Sequence, residues 1–175
     1  MNIAKASEAA KQIQILLLDI DGVMTDGKLY YGSGGAEFKA FNVKDGLGIK
    51  LLQRAGVEVG VITARQSEMV IRRCAELGIE TLIQGREDKR QAFSELIATT
   101  GWPLEQIAYM GDDLPDLAII NQVGLGMTVA DASKTVCEQA KWQSRFKGGD
   151  GAVREAAEFI LQAQGKLATL LASYG

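Results

Sequence analysis

Acidic side chains, a hydroxyl and a lysine stand where several apolar segments of this sequence end. Asp19 and Asp21 close the first such segment, Thr63 closes the second, Lys89 follows the third, and Gly111-Asp112-Asp113 closes the fourth. Taken singly, each is most simply a turn residue, a helix cap or a solvated side chain. Gathered at one edge of a sheet, however, carboxylates repel one another, and a bound dication relieves that cost.

Such a set of side chains is typical of a site that handles a phosphoryl group beside a metal ion. Carboxylate oxygens form a hard site that favours Mg²⁺. A hydroxyl and an ammonium group beside a metal-bound carboxylate, here Thr63 and Lys89, are suited to hold phosphoryl oxygens. The set therefore favours a magnesium-dependent site that acts on a phosphorylated molecule.

Histidine is absent from all 175 positions. This absence excludes Ser–His and Cys–His catalysis, histidine-ligated zinc and a phosphohistidine carrier. Acid–base chemistry must then come from aspartate, glutamate, lysine, tyrosine or cysteine. The acidic residues at the segment ends are therefore the first candidates for it.

The length and composition predict one domain over residues 1–175 with a substantial core, since 47% of the residues are apolar. A net charge of −3 without a basic run gives no support to nucleic-acid binding. The longest apolar run, Ile15–Leu18, is too short to span a membrane, and the helix predicted over 1–14 lacks the apolar core of a signal peptide. The two cysteines lack the spacing of a metal site and are expected to be reduced thiols, so we expect the protein in the cytoplasm.

Strand-like apolar runs alternate with segments of helical periodicity along most of the chain. This alternation predicts an α/β fold, a doubly wound, Rossmann-like parallel sheet covered by helices on both faces. The carboxyl ends of the strands form the ligand-binding edge of such a sheet. Its five strands are predicted at Ile13–Asp19, Val57–Thr63, Ile79–Ile83, Ile107–Gly111 and Gly124–Thr128.

Residues 27–43 break the alternation and predict a β-hairpin. Two alternating segments flank the glycine-rich turn at 32–35. Apolar surface that a monomer would leave exposed suggests contact with another subunit. A hairpin that folds back on its own sheet is the alternative. The apolar side chains of the hairpin are Leu29, Tyr31, Phe38 and Phe41.

The spacing of the candidate residues leaves no room for a cap domain over the site. Only 44 positions separate Asp19 from Thr63, and these are needed for the hairpin and one helix. Only 26 positions separate Thr63 from Lys89. An uncapped site has few groups to recognise a substrate, so we expect a neighbouring subunit to close it.

Four segments together resemble the motifs of the haloacid dehalogenase superfamily. Asp-Ile-Asp-Gly-Val-Met-Thr-Asp-Gly, from Asp19, is similar to the first motif, and Ile-Thr-Ala-Arg, with Thr63, to the second. Lys89 matches the third motif and Gly111–Asp116 the fourth. All four occur in the order of the superfamily and span most of the chain. The second motif departs from the pattern at Ala64, a position that is often glycine.

Further segments resemble one branch of that superfamily, the 3-deoxy-D-manno-octulosonate 8-phosphate phosphatases, which serve lipopolysaccharide synthesis in Gram-negative bacteria. These segments are 41–50, 129–132 and 148–155, and residues 141–146 differ in detail. The resemblance runs nearly from end to end. It implies a phosphomonoesterase with Mg²⁺ as cofactor and a small sugar phosphate as substrate.

The resemblance also assigns roles to the candidate residues. It implies that Asp19 is the nucleophile that forms an aspartyl-phosphate, and that Asp21 serves first as general acid and then as general base. It implies that Mg²⁺ is bound by the Asp19 carboxylate, the Asp21 backbone carbonyl and Asp112. Thr63 and Lys89 are expected to bind phosphoryl oxygens.

Other residues have less specific expectations. Asp113 and Asp116 are candidates to support the metal site, although an acid in the first turn of a helix explains Asp116 equally well. Arg65 and Lys44 are possible contacts for a substrate anion, and a surface ion pair explains each of them as well. The resemblance implies a homotetramer. It also implies that the tail, 148–175, reaches a neighbouring active site with the part of the tail around Arg154.

Three other functions fit part of the pattern. A phospho-receiver domain of bacterial signalling also combines a five-stranded parallel sheet with acids, Mg²⁺, threonine and lysine, but its acceptor aspartate follows the third strand. Here the third predicted strand ends in Gln84-Gly85. Alternatively, the substrate is another nonulosonate phosphate, or the domain is a scaffold with weak activity. The complete set of candidate residues opposes the scaffold.

Overall fold

A computed structural model describes residues 2–175, in which strands and helices alternate. Met1, the first residue of the helix predicted over 1–14, lies outside the described residues. The strands are β1 Ile15–Leu18, β2 Tyr30–Tyr31, β3 Glu37–Phe38, β4 Glu58–Ile62, β5 Thr81–Ile83, β6 Ile107–Met110, β7 Leu125–Thr128 and β8 Trp142–Gln143. The helices are α1 Ile3–Ala10, α2 Val43–Arg54, α3 Glu68–Leu77, α4 Lys89–Thr100, α5 Leu117–Ile120, α6 Lys134–Gln139, α7 Ala152–Ala163 and α8 Leu167–Leu171.

Six strands form one parallel sheet in the order β5-β4-β1-β6-β7-β8. Its centre is β1, whose last residue, Leu18, lies opposite Val61 of β4 and Met110 of β6. The chain runs outward from β1 through β4 to β5, and then crosses back to β6, β7 and β8. Because the winding reverses between β1 and β6, the crevice for a ligand lies beyond the carboxyl ends of these two strands.

The strand β1 is buried on both faces because helices cover both sides of the sheet. Leu16 and Leu18 belong to a core with α1, α2, α3 and α7, whereas Ile15 and Leu17 belong to a second core with α4, α5 and α6. A run of four apolar residues is what a strand buried on both faces requires. Among residues 2–175, no helix has both the length and the apolarity to cross a membrane.

The predicted doubly wound α/β fold is confirmed, and each of the five predicted strands is present, although all five are shorter than predicted. A sixth strand, β8, extends the sheet beside β7. Its two residues, Trp142 and Gln143, are too few to show an alternating pattern, which explains why the sequence does not predict it.

The predicted hairpin is present but short. Tyr30 pairs with Phe38 and Tyr31 with Glu37, and a 3₁₀ turn over Ser33–Gly35 joins the strands. Tyr31 is 70% exposed and Phe38 is 59% exposed. An isolated pair of strands of this length is marginal in water, so contacts with the rest of the protein must hold it.

The C-terminal segment packs against its own chain. Asp45, buried in the first turn of α2, accepts hydrogen bonds from the backbone N–H groups of Gly151 at 3.3 Å and Arg154 at 2.8 Å. These bonds join the start of α7 to α2. The weakly patterned end of the sequence forms α8 and a 3₁₀ turn. The hydroxyl of Tyr174 in that turn accepts a hydrogen bond from Nη1 of Arg54 at 2.9 Å. The contact of this tail with a neighbouring active site stays a prediction.

Candidate active site

Three carboxylates meet beyond the carboxyl ends of β1 and β6. Asp19 follows β1, Asp112 and Asp116 follow β6, and one oxygen of each lies within 4.8 Å of the others. The backbone N–H of Asp19 donates to the carbonyl of Met110 at 3.0 Å, which extends the pairing of the two strands up to the first acid. This group lies at the reversal of winding, where a ligand is expected.

The ammonium group of Lys89 lies among these carboxylates. Its Nζ is 2.9 Å from Oδ1 of Asp19 and 2.6 Å from Oδ1 of Asp116, and its side chain is 4% exposed. Lys89 begins α4, as predicted. Burial lowers the pKa of this ammonium, but the two carboxylates outweigh burial and raise it, so Lys89 is a cation in the folded protein.

Asp116 uses both of its oxygens for contacts within the protein, and it is 1% exposed. Oδ1 accepts from Lys89 and from the hydroxyl of Tyr109 at 2.6 Å. Oδ2 accepts from the backbone N–H groups of Asp112 at 3.0 Å and Asp113 at 3.1 Å. The sequence offered two explanations for Asp116, support of the site and an acid in the first turn of a helix, and both apply. Asp116 lies in a first helical turn and also holds the loop and Lys89.

Tyr109 belongs to the site but is not among the residues predicted from the sequence. Its ring is fully buried in β6, so its hydroxyl needs a partner inside the protein, which Asp116 provides. Burial, followed by the charge of Asp116, raises the Tyr109 pKa well above its usual value, so the hydroxyl keeps its proton and donates it. A single tyrosine in an otherwise aliphatic buried strand is the signal in the sequence that points to it.

Asp19 and Asp112 hold their protons more tightly than ordinary aspartates. Burial is the largest cause and raises the pKa of Asp19 to about 6 and that of Asp112 to about 7. Lys89 opposes the rise at Asp19, while the charge of Asp116 adds to it. At Asp112, the negative charges of Asp19 and Asp116 add to the effect of burial. A divalent cation bound to these carboxylates offsets the same repulsion, so the group fits such an ion.

The glycine of the first motif leaves space for Asp112. Gly22 has a φ of +94°, and a Cβ at this position would lie 2.1 Å from Oδ2 of Asp112. A side chain at residue 22 would therefore meet both backbone strain and a direct clash. The loop after β1 is shaped around the carboxylate of the loop after β6.

Thr63 reaches the same edge of the sheet from β4. It follows the last residue of that strand, its side chain is buried, and its backbone N–H donates to the carbonyl of Ile83 at 2.9 Å. Because β4 is the direct neighbour of β1, the carboxyl ends of the two strands place Thr63 and Asp19 at one edge. Its contact with phosphoryl oxygens stays a prediction.

The carboxylate of Asp21 turns toward the hairpin. Lys39 forms an ion pair with its Oδ1, and Nε of Arg65 lies 3.8 Å from its Oδ2. Arg65 is also held by Glu37, with Nη2 3.3 Å from Oε1. Lys39 is not among the residues predicted from the sequence, although the alternation around β3 places Glu37 and Lys39 on one face of the strand.

The remaining predicted contacts lie on helices. Lys44 is exposed in the first turn of α2. Arg154, in α7, forms an ion pair with Glu158 of the same helix, with Nε 2.6 Å from Oε1. The predicted contacts of Lys44 and Arg154 with a substrate stay predictions.

The chain is similar to known proteins in both sequence and structure. The family model of haloacid dehalogenase-like hydrolases matches residues 81–155. The 3-deoxy-D-manno-octulosonate 8-phosphate phosphatase KdsC of Escherichia coli (strain K12) is 46% identical over 158 residues, which cover 90% of this chain and 84% of that protein.

Two solved structures are similar along almost the whole chain. The 3-deoxy-D-manno-octulosonate 8-phosphate phosphatase of Moraxella catarrhalis, in complex with magnesium ion, phosphate ion and a KDO molecule, has a TM-score of 0.97 and 39% identity and covers 99% of this chain and 100% of its own. The cobalt-bound deoxy-D-mannose-octulosonate 8-phosphate phosphatase of Haemophilus influenzae has a TM-score of 0.88 and 40% identity and covers 92% of this chain and 94% of its own. With this similarity in sequence and structure, the chain belongs to the 3-deoxy-D-manno-octulosonate 8-phosphate phosphatase family of haloacid dehalogenase-like hydrolases.

Proposed function

We propose that this chain is a magnesium-dependent phosphomonoesterase that hydrolyses 3-deoxy-D-manno-octulosonate 8-phosphate to the free sugar acid and phosphate, a step of lipopolysaccharide biosynthesis. The observation that carries the proposal is the buried group of Asp19, Asp112 and Asp116 around Lys89 at the edge of the sheet. The substrate is inferred from the relatives, one of which is named for this phosphatase activity and another of which contains magnesium, phosphate and a KDO molecule.

The residues that would hold the magnesium ion are the Asp19 and Asp112 carboxylates and the backbone carbonyl of Asp21. The bound ion supplies positive charge that shields Asp19 from the anionic substrate and offsets charge on the phosphoryl oxygens. Asp116 directs both oxygens to donors of the protein, so we assign it to hold Lys89 and the loop.

In the first half-reaction, a carboxylate oxygen of Asp19 attacks phosphorus in line. The bond between phosphorus and the sugar oxygen breaks, and the carboxyl group of Asp21 gives its proton to that oxygen. Lys89, with its ammonium 2.9 Å from Asp19, is placed to hold a phosphoryl oxygen beside the nucleophile, together with Thr63. The products are the sugar acid and an aspartyl-phosphate.

In the second half-reaction, water attacks the phosphorus of the aspartyl-phosphate. The Asp21 carboxylate takes one proton from this water, and the bond between phosphorus and the Asp19 oxygen breaks. Inorganic phosphate leaves, the Asp19 carboxylate is restored, and Asp21 again carries the proton that the next cycle needs.

Magnesium is expected to stabilise the protein much more at about pH 8 than at about pH 5. A raised pKa in the folded state means that the metal-free protein loses stability as the pH rises from 3.8 through about 6 for Asp19 and about 7 for Asp112. The ion displaces these protons, so its affinity rises by up to about tenfold per pH unit for each proton displaced, and the increase ends above about pH 7. Thermal unfolding with magnesium or with a chelator measures both trends.

The Asp112→Asn variant is the control for this pH dependence. It keeps the size of the side chain but removes one of the charges that burial and repulsion penalise. We expect a smaller loss of metal-free stability with rising pH and a much weaker effect of magnesium. A magnesium effect of equal size at both pH values in the original protein would contradict the proposed site.

A panel of sugar phosphates tests the proposed substrate. Phosphate release is expected to be fastest with 3-deoxy-D-manno-octulosonate 8-phosphate, slower with other nonulosonate phosphates and slowest with hexose phosphates, and to stop when a chelator removes magnesium. Faster release from another nonulosonate phosphate would reassign the substrate and keep the phosphatase. No release from any phosphate ester would refute the phosphatase as well.

We also propose a cytoplasmic homotetramer in which a neighbouring subunit closes the open site. The exposed Tyr31 and Phe38 of the hairpin support it, since burial in an interface would remove this apolar surface from water. Light scattering is expected to give four times the mass of one chain. Replacing Phe38 by aspartate should then lower the mass, and a fully active, substrate-selective monomer would refute the assembly.

A further inference from the structure

The geometry points to Lys39 as a positioning residue for the proton transfers. We propose that its ammonium group holds Oδ1 of Asp21, which leaves Oδ2 as the oxygen that exchanges the proton in both half-reactions. This inference rests on the proposed function, because it assumes that Asp21 is the general acid and base.

The burial of Lys39 is unusual for a lysine. Its side chain is 2% exposed, whereas Lys28, at the start of the same hairpin, is 72% exposed and pairs with Asp26 at 3.3 Å. Burying an ammonium group is costly unless an opposite charge compensates it. In the described part of the chain the ion pair of Lys39 is with Asp21, across 18 positions. Oδ1 of Asp21 gives the buried ammonium group a hydrogen-bond acceptor in both protonation states and an opposite charge when Asp21 is ionised.

The two oxygens of Asp21 lie in different surroundings. Oδ1 accepts the hydrogen bond from Lys39. Oδ2 lies 3.8 Å from Nε of Arg65, beyond hydrogen-bond distance, and Arg65 is 44% exposed and is held by Glu37. A proton on Oδ1 would point at the ammonium hydrogens, so it resides on Oδ2. The carboxyl group therefore presents one defined oxygen for the exchange.

Each half-reaction then uses the same oxygen. The proton leaves Oδ2 for the sugar oxygen as the bond between phosphorus and that oxygen breaks. It is replaced by a proton of the attacking water as the bond between phosphorus and Asp19 breaks. Lys39 takes part only through its hydrogen bond to Oδ1, which makes it a positioning residue and distinguishes it from a general acid.

The same contact attaches the hairpin to the catalytic loop. Because β2 and β3 pair through only two residues each, the hairpin is marginal without support from the rest of the protein. Lys39 directly follows β3 and Asp21 lies two residues after Asp19. The position of the hairpin therefore determines the orientation of the acid.

Two aryl phosphates test the role of Lys39 independently of the sugar. Phenyl phosphate has a basic leaving group that needs a proton, whereas p-nitrophenyl phosphate has one that leaves without it. In single-turnover experiments, Lys39→Met is expected to slow the cleavage of phenyl phosphate by about 100-fold, the typical cost of a misplaced catalytic group. Cleavage of p-nitrophenyl phosphate is expected to change by less than about threefold.

The second half-reaction gives a further readout. With p-nitrophenyl phosphate in excess, Lys39→Met is expected to release one nitrophenolate per active site in a burst and then to turn over slowly, since the aspartyl-phosphate waits for its general base. In the Asp21→Asn background, Lys39→Met is expected to cause no further loss, because residues that act through one another are not additive.

Three variants separate positioning from a merely structural role. Lys39→Arg, which keeps the cation, is expected to restore phenyl phosphate cleavage to within about tenfold of the original protein. Lys28→Met, a matched loss of a hairpin lysine, is expected to change neither substrate. If thermal unfolding shows that Lys39→Met does not fold, Lys39→Gln takes its place in every measurement, with the same expected preference.

Equal losses on both aryl phosphates would overturn the inference, and so would a change confined to KM, which would make Lys39 a substrate-binding residue. The proposed substrate fails separately: inactivity toward 3-deoxy-D-manno-octulosonate 8-phosphate together with the expected aryl phosphate pattern would refute the substrate and leave the role of Lys39 standing.

Discussion

Asp19→Asn is expected to abolish phosphate release while the protein still folds. Asparagine has nearly the same shape as aspartate, but its amide cannot attack phosphorus to form an acyl phosphate. Removing a nucleophile of this kind costs on the order of 10⁴- to 10⁶-fold in turnover. Single-turnover assays with acid quench measure both the rate and the phosphorylated enzyme, which the variant should not form. Near-normal phosphate release by Asp19→Asn would contradict the assignment.

The stability of the same variant separates lost chemistry from lost structure. Burial raises the pKa of Asp19 to about 6, so its ionised form is penalised in the metal-free protein near neutral pH. Asparagine removes that penalty, and Lys89 keeps its contact with Asp116 at 2.6 Å. The metal-free variant is therefore expected to unfold at a temperature no lower than the original protein at about pH 8.

The matched control for Asp19→Asn is Asp88→Asn at the start of α4. Asp88 is exposed and caps the helix by accepting from the backbone N–H of Gln91 at 3.0 Å. Asparagine caps helices equally well, so activity and stability are expected to stay unchanged. A large loss of activity in this variant would mean that the loss at Asp19 is not specific to the nucleophile.

The positions of the main acids could be predicted because they depend on local pattern and topology alone. Apolar runs mark β1 and β6, the alternation with helices makes these strands parallel, and the carboxyl ends of parallel strands share one edge. Asp19 and Asp112 follow directly from that reasoning. The start of α4 at Lys89 can also be predicted from local pattern, because Asp88 is a typical helix cap.

The contacts that organise the site depend on tertiary structure and could not be predicted in the same way. Asp116 meets Lys89 across 27 positions and Tyr109 across 7. The pairing of Lys39 with Asp21 depends on how the hairpin folds back over the loop. Periodicity shows which face of a strand is polar, but it does not show which distant residue that face meets.

The largest loss of stability is expected for Asp116→Ala. The substitution removes four hydrogen bonds at once and leaves the buried hydroxyl of Tyr109 and two backbone N–H groups without their acceptor. Removing one partner from a buried charged pair costs about 3–5 kcal/mol. Urea unfolding with a chelator at neutral pH measures the free energy of unfolding. Turnover is also expected to fall by about 100-fold, because Lys89 loses one of its two anchors.

Two comparisons identify the cause of that loss. Asp113→Ala removes an exposed aspartate three positions earlier, at the N-cap position of the short helical turn, and is expected to cost at most about 1 kcal/mol. In a Tyr109→Phe background the tyrosine hydroxyl is no longer left without an acceptor, so Asp116→Ala should cost about 0.5–3 kcal/mol less there than in the original protein. Equal costs in both backgrounds would show that the hydrogen bond between Tyr109 and Asp116 contributes nothing to the free energy of unfolding. That result would contradict the view that β6 supports Lys89 through Tyr109 and Asp116.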